Sequence, residues 1–257
     1  MKYASVFRRD MSRLAYGWKL YFSVVAGLIL ILRPLFASNM LGHWAMYSEV
    51  ELLSVPLATS DFTPFSVVFC LLPFAESFCD DYASGYVHHI VTRISPRRYA
   101  LQRCLSTAIS GGIVMGSIMA LTIMICIWLG TPVTSTEDMH FLENTLWGRS
   151  EIMYIWNGNL MYMMRILIAF LFGCVWSLVG LAVSAFVPNR YVTLVFPFVL
   201  YQFLWFLFNE MPFNPVYMFR GDSDFIPSLE FLFAYQLGWI GLCTALSYIG
   251  IMRKVKI

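Results

Sequence analysis

Residues 80–99 hold a dense mixture of acids, bases and aromatics: Asp80, Asp81, Tyr82, Tyr86, His88, His89, Arg93, Arg97, Arg98 and Tyr99. Metal chelation fails on spacing. His88 and His89 are adjacent and point about 100° apart on a helix, whereas a chelating pair sits one turn apart. The other two histidines, His43 and His140, are remote from this run, and none of the four falls inside an apolar block. An intramembrane hydrolase needs a nucleophile or metal ligands at matching depths, and no such set is present. No Walker-type glycine-rich loop is available to cradle phosphates. Ser110-Gly111-Gly112 lies inside an apolar block, where small residues serve close helix contact. What remains is electrostatic and mechanical chemistry, with groups that hold or steer rather than react. No catalytic residue, no metal site and no enzyme activity are expected.

The elements that position these groups are membrane helices. The chain has 257 residues, 59% hydrophobic and 12% charged, with a mean hydropathy of +0.69. An ordinary soluble domain carries roughly 25% charged residues. The apolar residues come in blocks at roughly 20–38, 62–82, 104–129, 160–187, 191–208 and 229–252. A bilayer core of about 30 Å needs about 20 such residues per helix. Backbone groups in lipid must pair internally, so these blocks are helices, and they lack the short alternation of a β-barrel. The expected fold is an all-α membrane protein with six transmembrane helices.

Orientation follows from the cations, because Lys and Arg are retained on cytoplasmic flanks. With the N-terminus inside, thirteen of the seventeen basic residues fall on the inner side, including Arg8, Arg9, Arg13, Lys19, Arg93, Arg97, Arg103 and Arg190. Arg33, Arg149, Arg165 and Arg220 remain outside, together with eleven of the fifteen acids. A multi-pass protein of the cell membrane with both termini cytoplasmic is the consistent reading. Residues 20–32 resemble a signal peptide core, but Arg33-Pro34 interrupts the approach to a cleavage site, so an uncleaved first span is preferred. The six cysteines sit within or at the ends of spans, where packing rather than a disulfide framework is expected.

Residues 1–19 form a separate amphipathic element. Tyr3, Phe7, Met11, Leu14 and Trp18 make one helical stripe, with Arg8, Arg9, Arg13 and Lys19 on the remaining surface. This is the pattern of a helix lying in the headgroup layer against anionic lipid. It is either a topology anchor or an elbow that a cytoplasmic partner touches. Residues 20–257 then make one membrane domain. Segment 39–61, with Trp44, Tyr47 and Leu52-Leu53, reads as an outer loop resting on the membrane, followed by a second span running inward to about Tyr82. Tyr86, Ile90 and Ile94 mark the apolar face of a short cytoplasmic helix. Ser95-Pro96 reads as N-cap and first position of the third span. Pro188-Asn189-Arg190 makes a tight inner turn between spans four and five.

Four polar residues within or near spans are candidates for a pathway or gate: Arg33, Arg165, Gln202 and Gln236. Each has a plainer alternative. The arginines can snorkel to the interface, which removes much of the roughly 2.5–3.5 kcal/mol that a mid-membrane arginine costs. The glutamines can make interhelical hydrogen bonds. Glu76 follows Asp61 by fifteen residues, about 22 Å along a helix, and so falls near the inner surface. Inverting a two-state equilibrium from 1:99 to 99:1 takes about 5.5 kcal/mol of differential binding. Nothing in the chain captures that from ATP, so active transport would need a separate energy-supplying subunit.

The run from Asp81 resembles the ABC-2 type permeases, the membrane subunits of a class of ABC exporters. Asp81 and Gly85 match an acid followed at four positions by glycine. Ile94-Ser95-Pro96-Arg97-Arg98-Tyr99 matches the entry into span three, and Arg103 stands where Lys or Arg is common. The resemblance covers the six spans globally and about residues 76–112 locally. The His88-His89 pair and the long outer loop between spans three and four depart from it. It implies a cytoplasmic ABC ATPase that binds ATP and Mg, a second permease subunit, alike or different, and contact with membrane lipid. Neither a cofactor on this chain nor a nucleic-acid partner is expected. The coupling helix would meet the ATPase through Gly85, Tyr86, His89, Arg93 and Arg97, and the cargo would be an antimicrobial peptide, drug or lipid. The competing class is a non-transporting scaffold or sensor whose inner helix docks a signalling partner.

Overall fold

The computed structural model describes residues 4–37, 47–92, 94–131, 158–209, 211–219 and 229–255. Among these the protein is all-α, with ten α-helices, one short 3-10 turn and no strand beyond an isolated bridge between Ser48 and Thr131. In chain order they are α1 (Ala4–Tyr16), α2 (Trp18–Ala37), α3 (Glu49–Thr59), α4 (Phe62–Leu71) and α5 (Ser77–Ala83). They continue as α6 (Tyr86–Val91), α7 (Pro96–Leu129), α8 (Gly158–Phe186), α9 (Arg190–Leu207) and α10 (Leu229–Val255). Five helices are long and apolar enough to cross a membrane: α2, α7, α8, α9 and α10. Residues 52–59 and 62–71 form one more apolar run, bent by 81°.

Helix α8 is the hub, packed against α7, α10, α9, α4 and α5, and it is the most enclosed of the long helices. Its tightest contact is with α7. A methyl group at Gly111 would overlap the Gly173 carbonyl and the Ser177 side chain, so the two backbones touch only because both positions are glycine. Gly180 similarly admits Leu71 and Ala75 from the α4 side. Phe172, Trp176, Tyr201 and Phe219 stack edge-to-face or tilted around the same core. Apolar side chains of α2, α9 and α10 point outward instead, Ile29, Phe203, Phe206 and Leu237 among them, as lipid-facing residues do. Helix α7 has 34 residues, about 51 Å at 1.5 Å per residue, and so exceeds the bilayer core.

Two expectations need correction. Segment 39–61 was expected as a surface loop, but residues 49–59 are helical, with Leu52, Leu53 and Leu57 at most 1% exposed. Leu52, Leu53, Pro56 and Leu57 share one helical face, and Glu49 at the first position suits the helix dipole. The second span was expected to run unbroken over 62–82. It stops at Leu71, passes through a turn over 72–76 and resumes at Ser77. Pro73 lacks an N–H and its ring would meet the carbonyl four residues back, so the helix ends there. Proline has the opposite effect at Pro64, which sits in the first turn of α4 and is tolerated there.

Other boundaries follow the sequence closely. Ser95 is the N-cap and Pro96 the first residue of α7, although the Ser95 side chain makes no capping bond. Its carbonyl instead accepts from the Arg98 and Tyr99 amides at 3.0 and 3.1 Å. Asn189 caps α9, its side chain accepting from the Tyr191 and Val192 amides at 2.9 and 3.5 Å.

Candidate functional site

At the end of the bundle that carries α1, the buried face of α7 runs Tyr99, Arg103, Ser106, Ser110, at helical spacing. Arg103 is 2% exposed and reaches three elements. One guanidinium nitrogen lies 3.4 Å from Asp10 on α1; another lies 3.2 Å from Asp81 on α5 and donates to the Ser77 hydroxyl at 2.6 Å. Its flat face covers the Phe74 ring at 4.7 Å. Ser106 also donates to Asp10, at 3.4 Å. Arg13 approaches the other Asp81 oxygen at 3.2 Å, and Arg9 reaches Asp10 at 3.8 Å. Taking such charges out of water costs more than a pair in isolation returns, so the network stands only because each carboxylate meets more than one cation.

Adjacent acids divide the work. Asp81 turns inward to Arg103 and Arg13, while Asp80 holds Arg190 at the start of α9, at 2.7 Å. Glu76 binds Lys19 of α2 at 2.8 Å. Lys254 of α10 lies over the Tyr82 ring at 5.1 Å. The Cys79 thiol is within 3.5 Å of the Thr193 hydroxyl on α9, and burial pushes its pKa up, which makes it a packing thiol rather than a reactive one. Helix α5 is thus tied to α1, α7, α9 and α10, and through its N-cap Glu76 to α2, at one end of the bundle.

Gly85 closes α5. Its φ of +70° is the left-handed conformation that glycine adopts without penalty, and its amide donates to the Tyr82 carbonyl at 3.1 Å. This bend aims α6. Of the expected Tyr86, Ile90 and Ile94 stripe, Ile90 is buried and the other two are half-buried; Val87 beside it is buried, and His89 is exposed. Tyr86 faces α1, with Arg9 and Arg13 over its ring at 4.8 and 5.5 Å. Arg97 is exposed at the start of α7, and Arg93 lies outside the described residues. Of the residues assigned to one contact region, His89 and Arg97 present free surface, while Gly85 and Tyr86 set the bend and its anchoring.

The candidate pathway residues fall in two groups. Arg33 binds Asp61 at 2.7 Å, and Gln202 donates to the Pro64 carbonyl at 3.2 Å, so both hold the start of α4. Gln236 is fully buried and donates to the Ile168 carbonyl of α8 at 3.5 Å. Arg165 is 4% exposed and, with Glu49, lies within electrostatic range of Tyr162. Arg165 is therefore enclosed within the bundle. The glutamines bridge helices.

Asp10 and the burial of Arg103 were missed by sequence reasoning, yet both left a signal. Asp10 falls three residues after Phe7 and four before Leu14, an acid within an apolar stripe. Arg103 falls four after Tyr99 and three before Ser106, on the face of α7 that turns inward. A charge in such a stripe calls for an opposite charge on the element that covers it.

No protein-family model, curated protein or solved structure matches the chain.

Proposed function

We propose that the chain is the permease subunit of an ATP-driven exporter of the ABC-2 type, a multi-pass plasma-membrane protein with both termini cytoplasmic. The bent α3–α4 run counts as one of six crossings. Two ion pairs support that count, since Lys19–Glu76 and Arg33–Asp61 hold the run 61–76 antiparallel to α2, level with it at both ends. The concentration of Lys and Arg on the α1 side supports the orientation. The cargo is a peptide, drug or lipid. A separate ATPase binds ATP and Mg, and a second permease subunit completes the pathway.

The observation that carries this reading is the double nature of the α5–α6 element. Its outer surface offers exposed His89, and Arg97 is exposed at the start of the helix that follows, while its base is locked through Asp81 and Arg103 to α7 and α1. A push on the exposed side is passed to a long membrane helix and to the amphipathic helix together.

The test is co-purification with a Walker-motif ATPase encoded beside this chain. Gly85→Ala strains the bend by about 1–2 kcal/mol, the penalty for a left-handed residue with a side chain, and Arg97→Glu reverses an exposed charge. Both are expected to weaken association or uncouple ATP hydrolysis from transport. Unchanged association and transport in both variants would remove this interface from the proposal.

A further inference from the structure

The corner between α1 and α2 and the turn after α4 enclose a cleft of about 350 Å³. Its two walls carry opposite charge. Arg13 and Lys19 come from the corner; Glu76, Asp80 and Asp81 come from the facing turn and α5, together with the Ser77 hydroxyl. Two ion pairs cross the cleft, Arg13–Asp81 at 3.2 Å and Lys19–Glu76 at 2.8 Å. The carboxylates are the enclosed partners, with Asp81 and Glu76 side chains 8% and 13% exposed, against 46% and 38% for Arg13 and Lys19. Trp18 also lines the cleft and is strongly exposed, with Tyr16, Tyr21 and Phe22 standing outward nearby. Tryptophan and tyrosine settle at the membrane–water interface. The cleft therefore opens at the height of lipid headgroups.

We propose that it binds the head of a phospholipid bearing a primary ammonium, as phosphatidylethanolamine does. The phosphate lies against Arg13 and Lys19, and the ammonium against Glu76 and Asp81, the two carboxylates those cations release; Asp80 keeps its bond to Arg190. Charge balance selects this class. An anionic head alone would draw the cations away from Glu76 and Asp81 and leave enclosed carboxylates uncompensated, which is strongly unfavourable. A zwitterion replaces each crossing pair with two new ones of the same sign pattern. A primary ammonium offers three N–H donors to these oxygens. A quaternary ammonium offers none and depends on aromatic faces; the Phe74 face is already covered by Arg103, and Trp18 stands on the corner that carries Arg13 and Lys19, on the cationic wall. The volume lies in the range of small-ligand sites. This lipid site stands whether or not an ATPase docks on α6.

The test uses the intact chain in nanodiscs of equimolar phosphatidylethanolamine, phosphatidylcholine and phosphatidylglycerol with identical acyl chains, followed by native mass spectrometry of co-released lipid. Ethanolamine lipid is expected to be retained about tenfold over choline lipid, the scale of one charge-assisted hydrogen bond. Soluble phosphoethanolamine should displace it, and inorganic phosphate should not. Glu76→Gln should abolish the preference. Equal retention of the three lipids, preference for phosphatidylglycerol, or displacement by inorganic phosphate would each overturn the proposal. The lipid comparison is made on the unsubstituted chain, so it decides the matter even where Glu76→Gln fails to fold.

Discussion

The Arg103 guanidinium stands 3.2 Å from the Asp81 carboxylate, with side chains 1% and 8% exposed, although 22 positions separate them in sequence. One belongs to a long membrane helix and the other to a seven-residue helix outside it. Together with the Arg13–Asp81 and Arg190–Asp80 pairs, that contact makes the short helix part of the bundle rather than a loop attached to it. The same guanidinium reaches Asp10, so α1 is held at the same point.

Removing the arginine leaves two enclosed carboxylates with only the more exposed Arg9 and Arg13 to offset them, at 3.8 and 3.2 Å. Arg103→Leu is expected to destabilise the protein by about 3–5 kcal/mol, the usual cost of breaking one side of a buried pair. Arg103→Lys should recover only part, because a point charge cannot fork between Asp10 and Asp81. Thermal unfolding in detergent reads both. A melting temperature unchanged in Arg103→Leu would show that the cluster contributes nothing to the fold.

The glycines of the membrane helices divide into two kinds. Gly173→Ala places a methyl against the backbone of Gly111, which has no side chain to move aside, and should cost about 1–3 kcal/mol as overpacking does. A methyl at Gly241 meets nothing within 4 Å, so Gly241→Ala should leave the melting temperature unchanged or slightly raised. Equal losses in the two variants would mean that the α7–α8 crossing is not the tight contact described.

Orientation can be read by thiol labelling. All six native cysteines are buried, which gives a low background. Single cysteines at Arg33 or Asp61 should react with a membrane-impermeant maleimide on intact cells, and cysteines at Gly85 or Arg97 should react only after the membrane is opened. Labelling of Gly85→Cys from outside would invert the proposed topology and remove the ATPase interface with it.

Much of this architecture was legible in one dimension because its signals are local. Block length and hydropathy mark the long helices, since lipid offers no partner for unpaired backbone groups. The Ser95-Pro96 start, the Asn189 turn and the Val87–Ile90 face of α6 each depend on a few neighbouring residues. Pro73 was equally visible, but its break was masked by the continuous hydrophobicity around it. Helix α3 was hidden for the opposite reason, its acids and Pro56 reading as loop while its leucines supply a buried face.

Taken alone, the order of residues determined that the chain is helical and built for a membrane, and it located the start of α7 at Ser95-Pro96. It could not determine which charges meet. Asp10, Asp81 and Arg103 lie on three elements far apart in sequence, and whether a carboxylate is solvated or enclosed depends on what folds over it. Tertiary packing made those choices. The close approach of α8 to α7 and α4 brings α5 against the buried face of α7, and only there do a counted cation and two counted anions become one cluster.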